Sequence, residues 1–387
     1  MRKLILLWLG LSPFLIQAQS VWDSLYPSAE AKMQAYHFAE AAEDWAALHT
    51  RYSDTIPVLT QWGFALQQLG QHREAIQRYE EVLHQDSLHI FALNRLAYSH
   101  QALGQAQAVT GIYQRLLEID STNGYYHAQL AKRLEKSNDI GQAFYHYAQA
   151  LTLQPDNPDH YVSLGSLLLQ LEQFQEADSL AQEGLALDSN HILLLKLRSQ
   201  SLYQLKAYDE VIPVQEKLFD LGDTSSAMAK IRGVSAFYEK DYPDAIYWLE
   251  WILQQQQTSE VVLYYLGLAY RELDQYELAT QYLEMAVQEG MSDNLSHYFT
   301  QLGVAYEENN NHPAAIRAFQ KAYERSKRKL ILYHLARNYD QYYGDKSTAL
   351  RYYEKYLAEN DTANEDFMNY SQHRVGELKE RQHLSVD

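Results

Sequence analysis

Apolar positions along this chain recur three and four residues apart, in short runs separated by polar turns. The stretch YYLGLAYRELDQYELATQYLEMA, Tyr264 to Ala286, shows the arrangement. Two helical runs flank the turn ELDQY, which predicts two helices joined by a tight connection. Gly267 lies inside the first run, where a glycine costs about 1 kcal/mol against alanine. A neighbouring helix packed too close for a side chain would account for it.

The same pattern returns along the whole chain. Small residues fall at Ala29, Gly63, Ala97, Ala131, Gly165, Ser199, Gly233, Gly267, Gly303 and Ala336, and the step between them is constant up to Gly267. A second series follows each of these by 12 or 13 positions, among them Ala41, Ala75, Ala143, Ala245, Ala279 and Ala315. Four residues further on stand mostly bulky side chains: Trp45, Tyr79, Tyr113, Tyr147, Leu249, Leu283, Phe319 and Tyr353. A small residue on one helix and a large one on the next is the complementarity of two closely packed antiparallel helices. Asp-Ser pairs, as in HQDSLH, EIDSTN and ALDSNH, supply turn and helix-capping residues between repeats.

On these marks, and on the constant step, the chain resembles the tetratricopeptide repeat family, from about Leu25 to Ala358. The resemblance implies an all-α fold, a right-handed α-solenoid of about ten helix-turn-helix repeats with a C-terminal capping helix. The expected segments are a signal peptide (1–20), an N-terminal repeat-like element (21–55), a tandem array (56–361) and the capping helix with its tail (362–387). The fourth and fifth repeats depart from the pattern. Their bulky position holds Ala181 and Gln215, and Pro213 falls inside a helix, so a looser contact and a bend are expected there.

Composition narrows the function. The formal charge is −18, from 50 acidic and 32 basic residues, which repels nucleic acid and anionic lipid. There is no cysteine, which excludes disulfides, thiolate metal sites and a cysteine nucleophile. Met1-Arg2-Lys3 followed by the apolar run Leu4 to Ile16 and the small residues near Ala18 and Ser20 reads as an export signal. The expected location is therefore periplasmic or secreted, with no membrane insertion once the signal is removed. Catalytic motifs for metalloproteases, phosphate loops, serine hydrolases and dinucleotide folds are absent from the sequence. The histidines are scattered, so neither a metal nor another cofactor is expected, and the chain reads as non-enzymatic.

What the resemblance implies is a protein or peptide partner held in a concave groove lined by the first helix of each repeat. The candidate partner-binding residues are Tyr98, Lys196, Arg198, Gln200, Tyr203, Lys230, Arg232, Phe237, Tyr264 and Tyr265. Among these, KLRS (Lys196 to Ser199) and KIRG (Lys230 to Gly233) place the same unusual pair in two successive repeats. Arg198 and Arg232 occupy a slot that elsewhere holds leucine or tryptophan. They either pair with acids such as Glu210 and Asp244 or, with the lysines, form a basic spot for a partner carboxylate. The alternative reading of the whole chain is a structural part of an envelope assembly or secretion machine, acting through its length and convex surface.

Overall fold

The computed structural model describes residues 12–52, 55–257, 259–290, 293–359 and 364–384. Among them there are 21 helices and no strand. The N-terminal block, residues 1–170, holds α1 (Ser12–Gln34), α2 (Phe38–Tyr52), α3 (Ile56–Gln68), α4 (His72–Gln85), α5 (Ile90–Ala102), α6 (Ala106–Ile119), α7 (Gly124–Lys136), α8 (Ile140–Leu153) and α9 (Pro158–Gln170). The C-terminal block, residues 171–387, begins with α10 (Phe174–Leu187), α11 (Ile192–Gln204), α12 (Tyr208–Asp220), α13 (Ser226–Tyr238), α14 (Tyr242–Gln254) and α15 (Glu260–Glu272). It continues with α16 (Tyr276–Glu289), α17 (Leu295–Glu308), α18 (His312–Ser326), α19 (Leu330–Tyr342), α20 (Ser347–Ala358) and α21 (Glu365–Leu384). In each block, helices neighbouring in sequence pack together, and first helices of successive repeats also meet, as α3 meets α5 and α11 meets α13.

The small-to-large rule is the packing rule of the structure. A β-carbon built on Gly63 would fall 2.8 Å from the ring of Tyr79, and one on Gly303 would fall 2.6 Å from Phe319. On Gly267 it would meet Leu283 at 2.5 Å and the carbonyl of Ala279 at 3.1 Å. Each contact spans 16 residues, from the first helix of a repeat to the second. Close approach of the second helix is therefore what the mid-helix glycine provides.

Ser199 and Gln215 carry the same 16-residue relation in a different chemistry. Gln215 is 5 % exposed, and its amide donates to the hydroxyl of fully buried Ser199. A buried polar pair thus stands where other repeats set a glycine against a bulky side chain. Such a pair is tolerated because both members are satisfied. Pro213 is accommodated within α12 on its exposed side.

Most turns inside a repeat close the same way, the exception being α19 to α20, where Tyr343 is extended. Tyr36, Gly70, Gly104, Asn138, Glu172, Lys206, Lys240 and Asp274 all have left-handed backbone, with φ from 59 to 74°, and each stands one repeat length after the last. The next residue's N–H then reaches five residues back, as Gln71 to Leu66 at 2.9 Å and Gln275 to Tyr270 at 2.9 Å. This is the hydrogen bond that ends a helix through a left-handed residue.

Residues 1–11 of the expected leader lie outside the described residues, and 12–20 belong to α1 without a break at 20/21. The expected boundary at 361/362 also lies outside them. No helix among the described residues is long and apolar enough to cross a membrane. The helix expected to cover the last repeat is α21. Phe367 stacks on Tyr333 with centroids 4.4 Å apart, and Arg374 grips Asp340 through two nitrogens at 2.6 and 3.0 Å. The members of both pairs are separated by one repeat length, so α21 docks in the register of a further first helix.

Candidate functional site

Three of the four basic candidates of the C-terminal block are held by carboxylates of the same block. Arg232 is buried, and three of its nitrogens donate: Nε to Asp244 at 2.8 Å, Nη1 to the Ile212 carbonyl at 2.9 Å and Nη2 to Glu216 at 3.4 Å. Arg198 stands between Asp178 at 3.4 Å and Glu210 at 3.7 Å. Lys196 pairs with Asp223 at 3.1 Å. Lys230, half-buried on α13, has no carboxylate at ion-pair distance among the described residues. A guanidinium buried in a core slot must find acceptors, and the acids on α12 and α14 supply them.

The aromatic candidates of this block form one connected layer across α11, α13, α15 and α17. Tyr203 meets Tyr208 edge-on at 6.1 Å, and Tyr208 stacks on Tyr238 at 4.4 Å. The Tyr238 and Tyr265 hydroxyls share a hydrogen bond at 2.9 Å, while Phe237 packs edge-on against Tyr265 at 5.3 Å. Tyr264 is 8 % exposed, stacks on Tyr298 and bonds His297 Nε2 at 2.8 Å through its hydroxyl. Burial raises the hydroxyl pKa of Tyr264 and of Tyr265, so both stay protonated donors. Gln200 is half-buried beside this layer on α11.

Around α5 the N-terminal block is different. Tyr98 there borders an open cleft of about 520 Å³, lined also by Phe91, Asn94, Arg95, Gln101 and Tyr125. Tyr98 is 56 % exposed and Tyr125 is 50 % exposed. The Arg95 guanidinium lies 4.5 Å from the Phe64 ring and 5.0 Å from Phe91. Among the described residues its side-chain hydrogen bond is to Gln67 Oε1 at 3.5 Å, and no carboxylate among them lines the cleft. Gln67 is fixed in turn by the Arg95 carbonyl and the Ser99 hydroxyl, at 3.0 and 2.8 Å. Two aromatic faces thus hold a cation at the cleft floor without neutralising it.

Tyr98 is the one candidate from the sequence that this cleft contains; Phe91, Arg95 and Tyr125 escaped the sequence reading. Their signal is present, since Phe64 and Tyr98, like Phe91 and Tyr125, hold equivalent positions in successive repeats. Among the described residues no group of three or more acidic or histidine side chains is arranged to hold a metal ion. The histidine pair His127 and His146 brings ring nitrogens to 2.8 Å. Burial and then the neighbouring His127 hold His146 below its ordinary pKa, and burial does the same for His160 against the opposing charge of Asp159.

Family models described as tetratricopeptide repeat match residues 261–289 and 296–328, which cover α15 with α16 and α17 with α18. No curated protein matches the chain. Among solved structures it is similar to MamA 41-end from Desulfovibrio magneticus RS-1, at 14% identity over 44% of this chain and 97% of that one, TM-score 0.41. It is also similar to a chain of the APC/C hetero-tetramer Cut9–Hcn1, at 14% identity over 90% and 75%, TM-score 0.44. Pseudomonas aeruginosa pilF overlaps at 19% identity over 57% of this chain and 96% of that one, TM-score 0.44. Residues 261–328 thus carry tetratricopeptide repeats, and the same glycine-to-bulky contact recurs outside them at Gly63 and Gly233; the fold serves generally as a scaffold for protein interaction.

Proposed function

We propose that the protein is a non-enzymatic scaffold of the cell envelope that holds an extended partner segment on its first-helix face. The observation that carries this reading is the α5 cleft, with exposed Phe91, Tyr98 and Tyr125 around a cation that no acid neutralises. Aromatic walls with amide side chains suit a segment whose backbone and side chains lie along the first helices. In the C-terminal block the tyrosine layer offers a second aromatic surface through exposed Tyr238 and half-buried Gln200, Tyr203, Phe237 and Tyr265, with Tyr264 buried beneath it. Of the four basic candidates there, Lys230 is the one without an ion pair among the described residues, because Lys196, Arg198 and Arg232 are engaged by local acids.

A photo-crosslinking residue at position 98, introduced in the native cells, tests the reading. Discrete adducts that disappear with Arg95→Glu are expected, and a crosslinker at Tyr36, an exposed turn position, serves as the comparison. Equal adducts at both positions, or adducts indifferent to Arg95, would remove the cleft from the account. Isolation of the adducts from an envelope fraction supports the location, and their recovery from cytoplasm alone would overturn it.

A further inference from the structure

The second-helix face of the C-terminal block carries a separate aromatic cluster. Phe219 on α12 and Tyr247, Trp248 and Trp251 on α14 form it, with Trp248 at the centre. Phe219 meets Trp248 edge-on at 5.2 Å, Tyr247 does so at 5.3 Å, and Trp251 lies 6.4 Å away. Phe219 is 44 % exposed and Tyr247 60 % exposed. The two helices carry Asp209, Glu210, Glu216, Asp220, Asp244 and Glu250 against the single cation Lys217; Glu210, Glu216 and Asp244 are engaged by Arg198 and Arg232 and Glu250 by Tyr270, which leaves Asp209 and Asp220. A guanidinium is already associated with the cluster from within the fold, since Arg232 Cζ lies 6.0 Å from the Trp248 ring.

From this we infer that the α12–α14 face is a docking surface for a cationic amphipathic segment of a partner protein. The apolar side of such a segment covers the four rings, and its lysines or arginines meet Asp209, Asp220 and the ring faces. Charge decides among occupants. A second copy would bring the same acids against themselves, and an anionic lipid surface would be repelled. The inference is independent of the first-helix face, because α5 and its cleft contribute nothing to it.

The test uses the full chain and a labelled synthetic leucine–lysine amphipathic peptide, with a leucine–glutamate peptide of the same pattern, followed by fluorescence anisotropy. The lysine peptide should bind and the glutamate peptide should not. The double substitution Phe219→Ser with Tyr247→Ser should weaken binding roughly tenfold, the loss of two partly exposed ring contacts. Tyr98→Ser should leave it unchanged. Thermal melts of each variant establish that it is folded. Absence of binding, equal affinity for the two peptides, or full affinity in the double variant would overturn the proposal. So would a dimer in sedimentation, or adsorption to phosphatidylglycerol vesicles, that the double variant abolishes.

Discussion

Arg95 in the N-terminal block and Arg232 in the C-terminal block stand on first helices built by the same packing rule, yet they end in opposite electrostatic states. Arg232 is buried and met by Asp244, Glu216 and a carbonyl. Arg95 is half-buried, lies between two phenylalanine rings and faces a cleft without a carboxylate. The difference begins with position, since Arg232 stands in the core slot of Leu96, one residue along from Arg95, and it is completed by the neighbours. α12 and α14 bring acids to bear on one, while amides and aromatics surround the other. A cation becomes available to a partner through what its neighbours lack.

The sharpest way to break this comparison is to remove an acid. Asp244→Ala should cost about 1.5–3 kcal/mol in denaturant unfolding, because it removes the shortest of the three hydrogen bonds of a buried guanidinium and leaves it Glu216 and the Ile212 carbonyl. Arg95→Met should cost far less, as a half-exposed cation without an ion pair. Similar losses for the two would mean that Arg95 is as structural as Arg232.

Packing is the element the two regions share, so it should respond equally in both. Gly63→Ala and Gly267→Ala each force a β-carbon into contact with the facing side chain, and overpacking of this kind costs about 1–3 kcal/mol. Gly111→Ala on α6 has open space around it and should instead stabilise, by about 1 kcal/mol or less. A loss at Gly63 without one at Gly267, in matched thermal melts, would show that the two blocks do not pack by one rule.

Charge reversal separates the lysines. Lys196→Glu would set a second carboxylate beside Asp223 and should lower the melting temperature. Lys230→Glu should leave it within about 0.5 kcal/mol of the parent, as expected for a group without a structural partner. If both variants melt alike, the assignment of Lys230 as the free cation fails.

Acid should produce the smallest difference. His146 and His160 of the N-terminal block are held neutral by burial, so the unfolded chain takes up protons that the folded one refuses. Their contribution is complete above the ordinary histidine pKa of about 6.5 and is lost as pH falls below it. Melting temperature should therefore decline between about pH 7 and pH 5.5, and the decline should shrink in His146→Asn. An unchanged pH slope in that variant would show that His146 is not among the groups responsible.

The fold was legible because each packing contact returns once per repeat, so Gly63, Gly233, Gly267 and Gly303 announce one geometry several times over. Ser199 and Gln215 obscured it locally, since a buried hydrogen bond leaves no hydrophobic mark. The left-handed turn was half-hidden for a related reason. Gly70 and Gly104 signal it, but Lys206 and Lys240 adopt the same backbone under the constraint of their repeats. The candidate site was harder to read. Glu210 and Asp244 are named from the sequence as partners of the arginines, but Asp178 and Glu216 on other helices are not, and the availability of Arg95 depends on the absence of such acids around a cleft that three helices define.

The 16-residue separation between each glycine and its facing side chain also has a kinetic meaning. Loop-closure entropy rises only slowly with length, but here the chain never has to close a long loop to gain a stabilising contact. Contacts within a repeat and between successive repeats need only neighbouring sequence, so refolding can begin at any well-packed repeat and spread outward. The strongest nuclei would then be the glycine-bearing pairs α13 with α14, α15 with α16 and α17 with α18, which adjoin one another in sequence.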